Sequence, residues 1–198
     1  MCIRDRYLEH IRRVQPRGPY YFLGWSFGGV VAHEMSTQLQ AQGEEVRFLC
    51  MLDSYPKDVW DELPTEEEAL KRLLYMAGYS ELGDGPLTRA DVLAILSAEG
   101  SALANLEAHS ITAIIDNFAN CAVLEHQADH DKYQGDVLFF TATVNPARST
   151  LTAQTWQPYV DGTVHNHDIA CEHKDMTQRG PLAEIAAIVD QALTEATP

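Results

Sequence analysis

The chain has 198 residues, about one domain's length, and 45% of its side chains are apolar, enough for a core of its own. Fourteen lysines and arginines against 29 aspartates and glutamates give a net charge of −15, a surface that repels phosphate backbones and anionic lipid and argues against nucleic-acid or membrane partners. There is no apolar run near the roughly 20 residues of a spanning helix and no signal-peptide core, and Cys2, Cys50, Cys121 and Cys171 lack C-x-x-C spacing, as expected of reduced thiols in a cytoplasmic protein.

Met1-Cys2-Ile3-Arg4-Asp5-Arg6 matches no cap or strand pattern and reads as a translated sequencing-adapter scar. Residues 1–6 are therefore expected to be a non-native head, with the native sequence starting near Tyr7. Tyr7, Leu8, Ile11 and Val14 recur at helical spacing until Pro16-Arg17-Gly18-Pro19 stops the pattern. Tyr20-Tyr21-Phe22-Leu23 has the look of a buried strand. Val30 to Gln42 carries Val31, Met35 and Leu39 on one face, with Gly43 as the stop. Val46 to Leu52 is apolar apart from Arg47, as suits a parallel strand covered on both faces. Helix, strand, helix, strand is the alternation of a doubly wound α/β sheet.

From Tyr55 to about Tyr133 the alternation lapses. Thr65-x-x-Glu68 and Thr88-x-x-Asp91 are capping-box starts, each ahead of a helical apolar pattern, and a longer helix runs through Ile111, Ile114, Ile115 and Phe118. Residues 57–107 hold eleven acids and four bases, so residues 57–133 are expected to form an all-helical insertion with an acidic solvated face, most simply a lid. The α/β pattern then resumes. Val137 to Phe140 reads as a strand, Thr163 to Ile169 as an edge strand, and Leu182, Ile185, Ile188, Val189 and Leu193 stripe a terminal helix behind Pro181.

The chemistry centres on Gly24-x-Ser26-x-Gly28, lying between an expected strand and an expected helix. A sharp strand-to-helix turn strains the serine and exposes its hydroxyl, which makes Ser26 the candidate nucleophile. The flanking glycines are expected to be needed because a side chain there would collide with the neighbouring strand and helix. The backbone N–H of Phe27 then faces the place where an oxyanion would form, at a helix N-terminus whose dipole favours negative charge.

A serine hydroxyl needs a base, and the base an orienting acid. Asp53 closes the strand Val46–Leu52, and carboxyl ends of parallel strands are where such sites form. The rival position after Val137–Phe140 reads Thr141-Ala142-Thr143-Val144-Asn145, without a carboxylate. For the base, His173 lies in a loop between the last strand and the terminal helix, in the late position that the order Ser, Asp, His favours. His167 ranks next. His33, His126 and His130 read as surface or packing residues. A zinc reading of His165, His167, Asp168, Cys171 and His173 leaves Ser26 and Asp53 without a role and matches no ligand spacing, so no metal is expected.

With these residues in hand, the chain resembles the C-terminal thioesterase domains of nonribosomal peptide synthetases, which are α/β hydrolases. The matching stretches are Gly18-Pro19-Tyr20 leading into Gly24-Trp25-Ser26-Phe27-Gly28-Gly29, then Leu52-Asp53-Ser54-Tyr55-Pro56, then Cys171-Glu172-His173-Lys174-Asp175-Met176, with Trp156-x-Pro158-Tyr159 also similar. Within the group it is most similar to siderophore-synthetase thioesterases. The resemblance implies that Ser26 takes an acyl or peptidyl chain from the 4'-phosphopantetheine arm of a carrier domain, fused in cis, with no bound cofactor. His173 would act as base and Asp53 as its orienting acid. Water or an internal nucleophile would then release the chain as a linear acid or a ring, and the lid would shape the acyl pocket. Such domains begin with a strand and a His-Pro-x-Gly-Gly-like loop that supplies a second oxyanion donor; this segment lies upstream of the Tyr7 helix, so residues 7–198 are expected to be a partial domain lacking its first strands. The alternatives are a free-standing editing thioesterase, a plain esterase, and a catalytically dead hydrolase fold used for binding.

Overall fold

A computed structural model describes residues 3–59, 62–79, 85–98, 100–101, 103–144 and 151–196. The chain divides into two compact units, one of residues 1–59 and 128–198, the other of residues 60–127. The first unit holds helices α1 (Ile3–Val14), α2 (Phe27–Ala41) and α6 (Arg179–Ala196) and strands β1 (Tyr20–Trp25), β2 (Val46–Leu52), β3 (Val137–Ala142) and β4 (Val164–Ile169). Helix α1 starts at Ile3 and so runs through four residues of the expected head; Met1 and Cys2 lie outside the described residues.

The four strands form one parallel sheet in the order β1-β2-β3-β4. In β2, Leu49 and Met51 point into a core with Leu39 of α2, Phe139 and Trp156. Cys50 and Leu52 point into a second core with Phe140, Ile169, Met176 and Ile185 of α6. Alternate residues thus face opposite layers, and both are apolar because helices cover both faces. Full burial of a leucine such as Leu49 or Leu52 contributes about 1.5–3 kcal/mol, so this strand anchors the unit. The register aligns Trp25 with Leu52, Leu52 with Phe140 and Phe140 with His167, which brings the carboxyl ends of all four strands to one edge.

The reading of β1 as a buried strand is corrected in part. Among the described residues β1 pairs with β2 alone, and Tyr21 and Leu23 remain 43% and 53% exposed. Aromatic content mimicked burial here, although Tyr21 and Leu23, at alternate positions of β1, are exposed.

The second unit contains α3 (Glu66–Met76), α4 (Arg89–Ser97) and α5 (Ala108–Gln127) around Leu70, Leu73, Leu74, Val92, Leu96, Ile111 and Ile115. Both capping boxes are present. Thr65 caps α3 through the Glu68 N–H and Thr88 caps α4 through the Asp91 N–H, while each acid accepts the threonine N–H in return. The Arg89 guanidinium pairs with Glu66 and with Asp116, joining the three helices at the surface.

Candidate active site

Ser26 is the residue between β1 and α2. Its N–H donates to the Leu52 carbonyl at 3.0 Å, which prolongs the β1–β2 ladder by one step, and the backbone then turns through φ 54°, ψ −131° into the helix. A positive φ is uncommon for a residue with a side chain. It has a consequence for the hydroxyl. A serine at a helix N-cap ordinarily accepts an N–H from the first turn, but Ser26 makes no such bond. Its Oγ lies instead 3.0 Å from His173 Nε2.

Asp53 leaves β2 in the same way, with φ 45° and its N–H donating to the Phe140 carbonyl of β3 at 2.7 Å. The carboxylate is 2% exposed, a costly position for a charge unless donors surround it. His173 Nδ1 lies 2.7 Å from Oδ2, the Tyr55 hydroxyl donates to Oδ1 at 2.8 Å, and the Ala142 N–H donates to Oδ1 at 3.2 Å. His173 itself is 2% exposed, at the start of a short 3-10 turn, His173–Asp175, after β4. With Nδ1–H given to the carboxylate, the Nε2 lone pair faces the serine hydroxyl. The Trp25 indole N–H donates to the His173 carbonyl at 3.2 Å, with the two rings 5.4 Å apart.

The structure thus brings together Ser26, Asp53 and His173, contributed by the ends of β1 and β2 and by the turn after β4. Phe27 opens α2, so its N–H has no partner within the helix and lies beside the serine. His167 stacks on Phe140 instead, and His165 lies 3.7 Å from Asp136. The rival acid position ends at Asn145, outside the described residues.

One expectation about the glycines is overturned. A Cβ on Gly24 would lie 2.2 Å from the Gly28 carbonyl oxygen, and one on Gly29 would lie 2.5 Å from the Ser54 side chain. A Cβ on Gly28 meets nothing within 4 Å. The crowded pair is therefore Gly24 and Gly29, because the first turn of α2 presses position 29 against the Ser54 side chain and aims position 28 away from β1.

Three neighbours of the site were not legible as such in the sequence. Tyr55 is the first, through its hydroxyl on Asp53. Trp156 is the second: it is fully buried, and its indole N–H donates to the Ser54 carbonyl at 2.7 Å, bracing the turn that carries the acid. The third is a buried group behind it. His33 and His130 lie 4.7 and 5.0 Å from the Trp156 ring, His130 Nδ1 lies 2.9 Å from Glu34 Oε1, and His33 Nε2 lies 3.1 Å from the Tyr159 carbonyl. Burial pushes the Glu34 carboxyl up, but the two imidazoles more than offset it and hold the group down at about 2. Among the described residues, His33, Glu34 and His130 are the cluster whose ligand atoms lie close enough for a metal ion. His33 Nδ1, 3.9 Å from Glu34 Oε1, makes no hydrogen bond among the described residues. The Lys57 N–H donates to His130 Nε2 at 3.4 Å, so the ring carries its proton on Nδ1 and gives it to Glu34. The signal that could have found this group is His33-Glu34 on the covered face of α2.

Burial raises the thiols of Cys50, to about 12, and of Cys171, where Asp175 and Asp53 add to the effect. Both sulfurs therefore stay protonated near neutral pH. No described helix is long and apolar enough to cross a membrane.

Residues 3–193 match the model of the family described as "Thioesterase domain". The chain is 41% identical over 194 residues to a dimodular nonribosomal peptide synthase of Bacillus subtilis, covering 96% of this chain and 8% of that protein. It is 33% identical over 174 residues to vanchrobactin synthetase of Vibrio anguillarum, covering 87% and 6%. The chain therefore spans less than a tenth of the length of these relatives. Among solved structures, a four-domain nonribosomal peptide synthetase superposes with a TM-score of 0.81 at 20% identity, covering 96% of this chain and 15% of that one. The thioesterase domain that cyclises surfactin superposes at 0.67 and 20% identity, covering 96% and 74%. These likenesses show an α/β-hydrolase fold, and the family match shows that the chain belongs to the thioesterase-domain family.

Proposed function

We propose that this chain releases an acyl or peptidyl chain from the phosphopantetheine arm of a carrier domain, using Ser26 as nucleophile, His173 as general base and acid, and Asp53 as the group that orients His173. The observation that carries the reading is the continuous hydrogen-bond relay, 3.0 Å from Ser26 Oγ to His173 Nε2 and 2.7 Å from His173 Nδ1 to Asp53 Oδ2. Ser26 Oγ attacks the thioester carbonyl while Nε2 takes its proton. Asp53 stabilises the resulting imidazolium without taking the proton. The Phe27 N–H at the start of α2 donates to the developing oxyanion. The C–S bond breaks, the thiolate leaves with the proton from Nε2, and an acyl ester remains on Ser26. His173 then activates water, or a nucleophilic group of the chain itself, to cleave that ester and free the serine.

The match to a segment of dimodular and other multidomain synthases supports a carrier domain as partner, attached in cis. The test is turnover of an acyl-pantetheine thioester, followed by free thiol, beside the matching oxygen ester. Turnover of the thioester that falls at least about 10³-fold in Ser26→Ala supports the reading. Equal rates for wild type and Ser26→Ala would overturn it, and a preference for the oxygen ester would favour a plain esterase.

A further inference from the structure

The mechanism above gives Trp25, in the elbow sequence, no task. Trp25 is the last residue of β1, fixed opposite Leu52 in the sheet and covalently joined to Ser26. Its indole N–H donates to the main-chain carbonyl of His173, 148 residues away, at 3.2 Å. Its ring lies 5.4 Å from the imidazole, with 31° between the planes. The base is thus tied both by its side chain to Asp53 and by its backbone to the residue next to the nucleophile. His173 sits in a three-residue 3-10 turn flanked by Cys171 and Met176, both packed in the second core, and the indole bond ties its main chain to the strand end that carries Ser26.

We infer that Trp25 is a positioning residue for the base: its N–H sets the distance from His173 Nε2 to Ser26 Oγ, and its aromatic face lies against the imidazole as that ring becomes positively charged. This inference rests on the reading of Ser26 and His173 as nucleophile and base. A strand end is a rigid support, and a displacement of about 1 Å at a reacting group can cost about 10²-fold in rate. Aromatic faces also favour an adjacent cation. Both effects act on the step in which His173 takes the proton, more than on binding of the acyl chain.

The test separates the N–H from the ring. Trp25→Phe keeps an aromatic face and removes the donor. Benzothienylalanine at position 25 replaces the N–H by sulfur in a ring of nearly the same shape, so it tests the donor even if Trp25→Phe folds poorly. For both, kcat on an acyl-pantetheine thioester should fall about tenfold with KM within about twofold, the split expected when an interaction acts in the chemical step. The far-downfield proton resonance of the His173–Asp53 bond should broaden as the turn loosens. A kcat within about twofold of wild type together with an unchanged downfield resonance in the benzothienyl variant would overturn the inference. Ser26→Ala, measured alongside, distinguishes the two failures. If Ser26→Ala keeps full activity, the nucleophile assignment fails; if it is inactive while both Trp25 variants behave as wild type, the role of Trp25 alone fails.

Discussion

Replacing Glu34 by glutamine tests the electrostatics behind the acid turn, because the amide oxygen of the variant can still accept the His130 Nδ1–H bond while the charge is lost. The folded-state carboxyl sits at about 2 against an ordinary 4.5. A group lowered on folding stabilises the protein fully above its unfolded value, and that stabilisation drains away as pH falls toward the folded value. At about 1.4 kcal/mol per pH unit, the interval corresponds to about 3 kcal/mol at neutral pH. Linkage then removes about 1 kcal/mol of it by pH 4 and about 2 kcal/mol by pH 3. Urea denaturation of wild type and Glu34→Gln at pH 7, 5, 4 and 3 reads the gap directly, and the other carboxylates cancel in the difference. A gap of about 3 kcal/mol that narrows below pH 4.5 is expected. A gap that stays constant from pH 7 to pH 3 would refute the assignment of a charged, imidazole-held Glu34.

Further expectations follow from single contacts. Tyr55→Phe deletes the hydroxyl that donates to Asp53 Oδ1; a hydrogen bond to a buried charge contributes about 1.5–3 kcal/mol, so kcat should fall about tenfold or more, and unchanged kinetics would remove Tyr55 from the support of the acid. Gly28→Ala should fold and turn over close to wild type because a Cβ there meets open space, whereas Gly24→Ala would drive a Cβ into the Gly28 carbonyl and should abolish soluble protein or activity; equal behaviour of the two variants would contradict the packing described. Thr88→Ala removes an N-cap with both capping-box bonds, and thermal unfolding should register a loss of about 1 kcal/mol, while no loss would mean that α4 is held by packing alone.

Much of this was readable from local pattern. The elbow, the strand before Asp53, the loop of His173 and both threonine caps depend on neighbours within four residues, the range over which sequence periodicity and turn chemistry act. What escaped depends on an unusual backbone conformation or on contacts across the chain. Nothing near Tyr55 says that its hydroxyl meets the side chain two residues earlier, since that depends on Asp53 adopting a positive φ. Glu34 and His130 are 96 residues apart, and Trp156 reaches a carbonyl 102 residues away. The exposure of β1 was misread because aromatic residues signal a strand more surely than they signal which of its faces is covered. The error at Gly28 has a different origin: a motif spacing names the glycines but not the direction of each missing Cβ, and that direction is set by where α2 meets Ser54.

We propose that acyl transfer passes through an ester on Ser26. Brief exposure of the protein to an acyl-pantetheine thioester, acid quenching and peptide mass mapping would locate the acyl group. An adduct is expected on the peptide containing Ser26 in wild type and none in Ser26→Ala or His173→Ala. An acyl group on another residue, or thiol release at the wild-type rate in Ser26→Ala, would contradict it.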